Sequence, residues 1–506
     1  MFIRKKPNKS GTFSIQIINK SSGKYEVIKT VGSSADPEQI EYLLKKANRE
    51  LDELLTQSRI NFDQAKEDEL FDLFFNGLKS IWMVGPEMLL GKIFDEIGFD
   101  KIEDELFRYL VLSRLCFPLS KLKTVDYLFR YQGIKLDIDK VYRYLDKLNT
   151  KQKELIQKIS YQHTLKILQE DISVVFYDVT TLYFESEEPD DLRKPGYSKD
   201  GKHSNPQILL GLLLSIEGYP LAYDIFEGNK FEGHTLLPII QAFKAKYNLQ
   251  QLIVVADAGM LSEKNIQALE DQNYEYILGA RLKAEKGWLA EQILSLNLTN
   301  GQYEEAATID GKRLIVSYST KRAKKDQYNR KRGLDRLEKA IASGKLTKQN
   351  INNRGYNKYL KLEGEVDIKV DYRKFELDAQ WDGLKGYWTN TTLPMSHVIT
   401  QYGNLWKIER AFRISKTDLK IRPIYHRLKD RIEAHICIAF VAYKIYRELE
   451  RKLKLKGLDW SAEKTIEISK TIFEVTLESP LSGTQVSRLH LENEEQHEFV
   501  HYFGEA

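Results

Sequence analysis

The sequence predicts an α/β protein, a sheet covered by helices, with a small β-meander and helical segments ahead of it. Three observations carry that reading. From residue 171 the helical periodicity gives way to apolar, β-branched runs of strand length: Ile172–Tyr177, Gln207–Ile216 and Leu221–Phe226. Helix and strand patterns then alternate, with a helix from His234 to about Tyr247, a continuous apolar strand Leu252–Ala256, a helix from Ser262 and a strand Tyr274–Ala280. Helical pattern returns at His397 and runs, with a break near Pro423, to Leu455.

The flanking elements follow in order. Residues 1–31 alternate apolar and polar in short runs, as in Phe13-Ser14-Ile15-Gln16-Ile17, between Lys/Asn/Ser/Gly turns, which predicts a β-meander. Asp36-Pro37-Glu38-Gln39 reads as N-cap, first-turn proline and capping-box glutamine, and Ile40, Leu43, Leu44, Ala47, Leu51 and Leu54 form the apolar stripe behind it. Residues 67–169 are helical; the stretches around Ser120–Thr124 and Asp139–Tyr144 suit either a helix-turn-helix or an ordinary bundle. Between 284 and 390 short alternating runs such as Arg313–Tyr318, separated by basic stretches, read as a β-rich insertion. The expected division is 1–66 (basic meander and helix, DNA-binding), 67–169 (helical, DNA-binding), 170–283 (first part of the core), 284–390 (insertion), 391–455 (second part of the core) and 456–506 (a mixed C-terminal region suited to oligomerisation).

Composition bounds the function. At 506 residues there is room for about three domains at roughly 150 residues each. Apolar residues at 42% and charged residues at 30% fit a soluble globular protein and exclude a disordered or fibrous one. Cys116 and Cys437 are too few and too distant for a disulfide framework or zinc knuckle, and read as buried thiols in a reducing cytoplasm. The N-terminus lacks the apolar core of a signal peptide, and the longest apolar stretch is too short for a bilayer, so no membrane partner is expected. Net charge is only +4, yet residues 1–30 hold seven Lys/Arg, Arg4, Lys5 and Lys6 among them, against Glu26, and residues 311–332 hold nine against Asp326. Such clusters suit a polyanion, although a single one is as often a solvated face.

Asp178 and Asp257 stand just beyond two predicted strands, in Phe176-Tyr177-Asp178 and Val255-Ala256-Asp257. Either alone reads as a turn or helix cap. Together, at strand ends where open sheets present ligands, two carboxylates form a hard-oxygen site suited to Mg²⁺ or Mn²⁺. The helix from His397 offers a third carboxylate, Glu409. Tyr402, Glu409 and Lys416 are seven apart and so share one helix face, with Ile408, Phe412, Ser415 and Leu419 packing inward.

Taken with Tyr177–Thr181, Gly196–Lys202, Val255–Met260, Tyr402–Lys416 and Arg422-Pro423-Ile424-Tyr425-His426, the sequence resembles the DDE transposases of bacterial insertion sequences, in the insertion-sequence-four superfamily with the Tyr-Arg-Glu-Lys signature. Ile3–Lys6 with Gly23-Lys24-Tyr25 resembles one branch of them. The resemblance implies a ribonuclease-H-like core interrupted by an insertion before the last catalytic helix. It also implies that Asp178, Asp257 and Glu409 hold two Mg²⁺ ions, for which Mn²⁺ can substitute, and catalyse strand cleavage and strand transfer. Its partners would be double-stranded DNA, both the terminal inverted repeats and the target, with a homodimer expected on DNA. Tyr402 and Lys416 would contact end phosphates, and the loop carrying Lys199 and Lys202 would lie along DNA. Trp381 and Trp388 suit core packing or stacking on a displaced base.

The sequence departs from the signature at one place, where Leu405 replaces the arginine expected three residues after Tyr402. Arg413, about 40° from Glu409 one turn later, is the best-placed substitute, unless it pairs Glu409 as an i,i+4 salt bridge. Two other readings stay open: a catalytically inactive DNA-binding protein of the same fold, and a hydrolase using Asp178 and Asp257 as an acid/base pair.

Overall fold

The computed structural model describes all residues except 21–22, 170–171, 186–187, 197–203, 260–261, 345, 347–349, 353–354, 364–366, 481 and 505–506, and describes only the backbone of 56–68, 149–151, 232, 363 and 367. Lys199 and Lys202 therefore lie outside the described residues. The chain forms two compact units, residues 1–82 with 473–491, and residues 83–472 with 492–506.

In the first unit β1 (Phe2–Pro7), β2 (Phe13–Asn19) and β3 (Glu26–Ser34) form an antiparallel meander. Burial does not alternate as expected: β2 buries the adjacent pairs Ser14–Ile15 and Ile17–Ile18, with register shifts against β3 after Ile15 and after Ile17. Ile15 is fully buried with Ile40 and Ala47 of α1 (Pro37–Asn76), while Arg4, Lys5 and Lys6 on β1 are exposed. Asp36 caps α1 by accepting from the Glu38 amide, but the expected capping box does not form, because the Gln39 side chain accepts from the Ser34 hydroxyl instead. After α1 comes β4 (Leu78–Met83).

The second unit opens with α2 (Lys92–Ile97), α3 (Glu105–Cys116), α4 (Lys121–Gln132) and α5 (Ile138–Leu168). Then follow β5 (Val174–Tyr183), β6 (Gln207–Ser215), β7 (Pro220–Glu227), α6 (Leu236–Tyr247), β8 (Ile253–Ala256), α7 (Glu263–Glu270) and β9 (Glu275–Ala280), close to the predicted bounds except that β5 runs on past Tyr177 to Tyr183. The next segment holds α8 (Trp288–Ser295), β10 (Tyr303–Ile309), β11 (Lys312–Tyr318), α9 (Thr320–Ala342), β12 (Leu360–Glu363), β13 (Asp367–Val370), α10 (Tyr372–Ala379) and β14 (Leu384–Thr389). Last come α11 (Met395–Gly403), α12 (Trp406–Thr417), α13 (Lys429–Leu455), α14 (Ala462–Ser469), β15 (Phe473–Glu478), β16 (Gln485–His490) and α15 (Glu494–Phe503). Of these, β15 and β16 belong to the first unit, where they join β4 in a three-stranded sheet.

One eight-stranded mixed sheet, in the order β10-β11-β14-β9-β8-β5-β6-β7, organises the second unit. β5, β8 and β9 pair in parallel and the other neighbours are antiparallel. The segment expected to be a β-rich insertion differs from that reading in two ways. It contains α9, a helix of 23 residues whose basic sequence buries Arg330, Gly333 and Leu337 on one stripe. Its strands β14, β11 and β10 extend the main sheet by pairing outward from β9, because their inward residues Leu314, Val316 and Trp388 share one apolar cluster with Leu282, Leu289 and Ile293. Trp381 packs against that same cluster.

α13 is apolar on nearly every side and is buried from Ile432 to Tyr446, which marks a helix enclosed by others. It packs against α2, α3, α5, α12, α14 and β7, so the upstream helices share its core. Among the described residues no helix is long and apolar enough to cross a membrane.

Candidate active site

Register decides where the two aspartates meet. Phe176 of β5 pairs with Val255 of β8, and continuing this parallel register sets Asp178 level with Asp257 on the neighbouring strand. Adjacent strands lie about 4.8 Å apart. Side chains alternate between faces, and Val175, Tyr177 and Val179 share an apolar cluster with Val254 and Ala256. Asp178 and Asp257 therefore both project from the opposite face. Asp178 differs from its predicted place in lying inside β5 rather than beyond it: the parallel partner stops at Ala256, while Thr180–Tyr183 continue pairing with β6. Asp178 is half-buried and its Oδ1 accepts from the Val179 amide at 2.7 Å; Asp257 is exposed and its Oδ1 accepts from the Gly259 amide at 2.8 Å.

α11 and α12 cover this face, α11 against β8, β9 and β14, and α12 against β5. The reading of Tyr402, Glu409 and Lys416 as one stripe on one helix needs correcting. The helix ends at Gly403 and restarts at Trp406, because Leu405 and Lys407 donate to carbonyls only three residues back, at Tyr402 and Asn404. Tyr402 thus stands on α11, while Glu409 and Lys416 share a face of α12; Glu409 is exposed and lies in its first turn, and Lys416 is half-buried. As predicted, Ile408, Phe412 and Ser415 pack inward.

The break does not separate Tyr402 from the carboxylates. Its hydroxyl lies over Gly279 of β9, so close that a Cβ at that position would collide with it. Burial raises the Tyr402 pKa, and the charges of Asp257 and Glu409 raise it further, so the phenol stays protonated between two carboxylates. Its ring meets Tyr387 edge-on at 5.0 Å, and the Lys385 ammonium sits 4.5 Å from its centre. Burial and Arg322 lower the Lys385 pKa, while Glu409 opposes them. The sequence reading singled out neither Lys385 nor Tyr387, and has Arg322 only as a member of the basic cluster 311–332. Gly279 was the available signal, since glycine inside an apolar strand marks a close approach.

Leu405 is buried at the start of α12, so an apolar side chain fills the place where the signature has arginine. Among the described residues Arg413 makes no ion pair with Glu409. It is exposed and lines a cavity with Arg410, Glu450 and Trp460; Arg410 itself is bound to Glu450.

Hard oxygen donors on one sheet face, with a third carboxylate on the covering helix, suit a divalent cation such as Mg²⁺. Among the described residues no three His, Cys, Asp or Glu side chains converge closely enough to hold one ion. The donor chemistry of Asp178, Asp257 and Glu409 fits such ions. Beside the site a cavity of about 770 Å³ is lined by Arg281, Lys283, Arg322, Lys385 and Trp381 together with Asp326 and Asp378, which pair Arg322 and Lys283.

Comparison with known proteins bears on this arrangement. No curated protein matches the chain. Among solved structures, a cryo-EM structure of a piggyBac transposase synaptic complex with hairpin DNA is similar, at 11% identity and a TM-score of 0.37, covering 79% of this chain and 78% of that one. The family described as "Transposase DDE domain" matches residues 169–445, from just before β5 into α13. That match spans more than half of the chain, including Asp178, Asp257 and Glu409, and the protein belongs to the transposases that carry the DDE domain.

Proposed function

We propose that the protein is a metal-dependent transposase with a ribonuclease-H-like core, which binds the ends of its own insertion sequence and catalyses DNA strand cleavage and strand transfer. One observation carries the reading: Asp178 and Asp257 stand level on one face of adjacent parallel strands, with the helix bearing Glu409 packed over that face, inside the matched domain. These three carboxylates would hold two Mg²⁺ ions, or Mn²⁺ in their place. The chemistry that such ions supply is activation of a water or 3′-hydroxyl nucleophile and neutralisation of charge on the departing oxygen.

The chain's own residues do the positioning. Tyr402, kept protonated, donates its hydroxyl to a phosphate oxygen beside Asp257 and Glu409. Lys385 and Lys416 bring positive charge to that phosphate as point charges. Arg413 stands in for the missing signature arginine. Arg4, Lys5 and Lys6 on the exposed edge strand β1, together with Lys199 and Lys202, add backbone contacts that position duplex DNA without reading its sequence. A homodimer on the terminal inverted repeats and target DNA completes the reading.

The test is nicking of a duplex carrying the element's terminal repeats. With Mg²⁺ the wild-type chain should nick at the repeat end, and omission of divalent ions should stop it. Binding without nicking under any divalent ion would favour the inactive DNA-binding protein, and neither binding nor nicking would reject the proposal.

A further inference from the structure

Away from the acidic face, the first turn of α4 and the segment following α12 enclose a second cavity, of about 530 Å³. Arg114, Lys121 and His435 line its depth and are 5%, 4% and 6% exposed; Lys123, Lys420 and Arg422 stand around them. One Arg114 terminal nitrogen reaches the Leu419 carbonyl at 3.5 Å, while its Nε is buried with no partner, as is Nδ1 of His435. Neither Arg114 nor Lys121 has a carboxylate partner among the described residues. Burial pushes Arg114 down to about 10 and Lys121 well below the usual lysine range, and Arg114 lowers Lys121 further. Asp146, the acid facing this region from α5, is already held by Arg431 at 2.6 and 2.9 Å.

Burying a charge without a partner is strongly unfavourable, and two like charges buried together are worse. The backbone adds to the positive field. Ser120 caps α4, and the first-turn amides of this 12-residue helix open at the cavity, where the helix dipole favours an anion. Two buried cations and a helix N-terminus around one void suit a tetrahedral oxyanion with several acceptor oxygens, whereas the His435 Nε2–H is already donated to the Ile421 carbonyl at 2.9 Å. The site is separate from the carboxylates: Ile424 bridges Phe184, six residues beyond Asp178, or about 20 Å along an extended strand.

We propose that this cavity is a phosphate receptor, in which Arg114, Lys121 and the first turn of α4 bind a phosphate group supplied either by a DNA backbone or by a free phosphate ion. The DNA source rests on the proposed function above; the receptor itself does not.

The experiment uses the full chain. Thermal unfolding in sodium phosphate is compared with unfolding in sodium chloride of equal ionic strength, for wild type, Lys121→Met and the rim variant Lys123→Ala. Phosphate should raise the wild-type Tm by several degrees. Without phosphate, Lys121→Met should melt no lower than wild type, because it removes a buried unpaired charge, and it should lose the phosphate response. Lys123→Ala should keep the fold and respond more weakly. Duplex DNA binding at one salt concentration then separates the sources. A loss of about tenfold for Lys121→Met, with phosphate competing, identifies a backbone phosphate; unchanged duplex affinity with the thermal response intact identifies a free phosphate. Equal melting of wild type in phosphate and chloride, or a full phosphate response in Lys121→Met, would overturn the receptor. Wild type that binds no duplex yet responds to phosphate would count against the proposed function and leave the receptor standing.

Discussion

Two stations on β5 carry opposite charge in opposite surroundings. At Asp178 the strand contributes to a face where Asp257 and Glu409 are exposed to water. At Phe184, just past its end, it touches the segment walling a cavity in which Arg114 and Lys121 are buried. Hydrated carboxylates tolerate the absence of a cation, so their role shows only in their convergence. A buried lysine or arginine without a partner is held in its charged form only at a cost, and an anion binding beside it removes that cost. Lys444 provides the control. It is fully buried on α13, yet its Nζ donates to the Ser160 carbonyl at 3.0 Å and the Thr164 hydroxyl at 2.6 Å, with Glu448 nearby. That lysine is internally satisfied and needs no ligand.

The comparison breaks most decisively at the acids. Asp178→Asn, Asp257→Asn and Glu409→Gln should each lower Mg²⁺-dependent nicking by about a thousandfold, roughly 4 kcal/mol of barrier, while melting within a few degrees of wild type. Nicking at the wild-type rate by any one of them would remove that residue from the site.

Protonation tests the buried side. Burial and neighbouring cations push His163 down to about 3 and His426 down to about 4. Above about pH 6.5 both rings are neutral in the folded and unfolded chain and do not affect stability. As pH falls from 6.5 towards 4, the unfolded chain takes up protons that the folded one refuses, so stability falls, by up to about 1.4 kcal/mol per pH unit for each ring. Denaturant unfolding at pH 7 and pH 5 should show this loss, and His163→Asn should make it shallower.

Lys444→Met sharpens the contrast between satisfied and unsatisfied lysines. It strands acceptors inside the core and should cost about 1–3 kcal/mol, opposite in sign to Lys121→Met. Equal effects in chemical denaturation would erase the distinction.

Smaller effects belong to the surface. Removing residues 1–31 should flatten the salt dependence of duplex binding by about 0.9 log units per decade for each DNA phosphate that the shortened chain leaves unneutralised. An unchanged slope would take Arg4, Lys5 and Lys6 out of the interface. Last, Arg413→Ala should weaken binding to precleaved ends more than Arg410→Ala, whose guanidinium is already held by Glu450 and whose loss should register mainly in stability. Equal losses of affinity would leave the signature arginine without a substitute.

Much of this is legible in the sequence. Strand runs such as Ile253–Ala256 and helix starts such as Ser262 and Asp36 depend on neighbours a few residues away, and the structure keeps them within a residue or two. Periodicity failed where local signals conflict with packing. The seven-residue spacing of Tyr402, Glu409 and Lys416 suggested one helix, but Gly403-Asn404 are weak helix formers and Leu405 is drawn inward, so the chain turns there. The alternating runs of 303–318 read as an insertion of their own because nothing local shows that β14 brings them onto β9.

By itself the sequence determined most strands and helices of the core from 172 to 280, which residues carry charge, and, through short motifs, the family resemblance, because these are set by chemistry within a few residues. Only the tertiary structure decided that Asp178 stands level with Asp257, that Tyr402 crosses a helix break to rest over Gly279 near Glu409, and that Arg114 and Lys121 share a cavity with Arg422. Those are meetings between residues tens to hundreds of positions apart. They are fixed by sheet register and by the packing of helices across a common core, which no local pattern encodes.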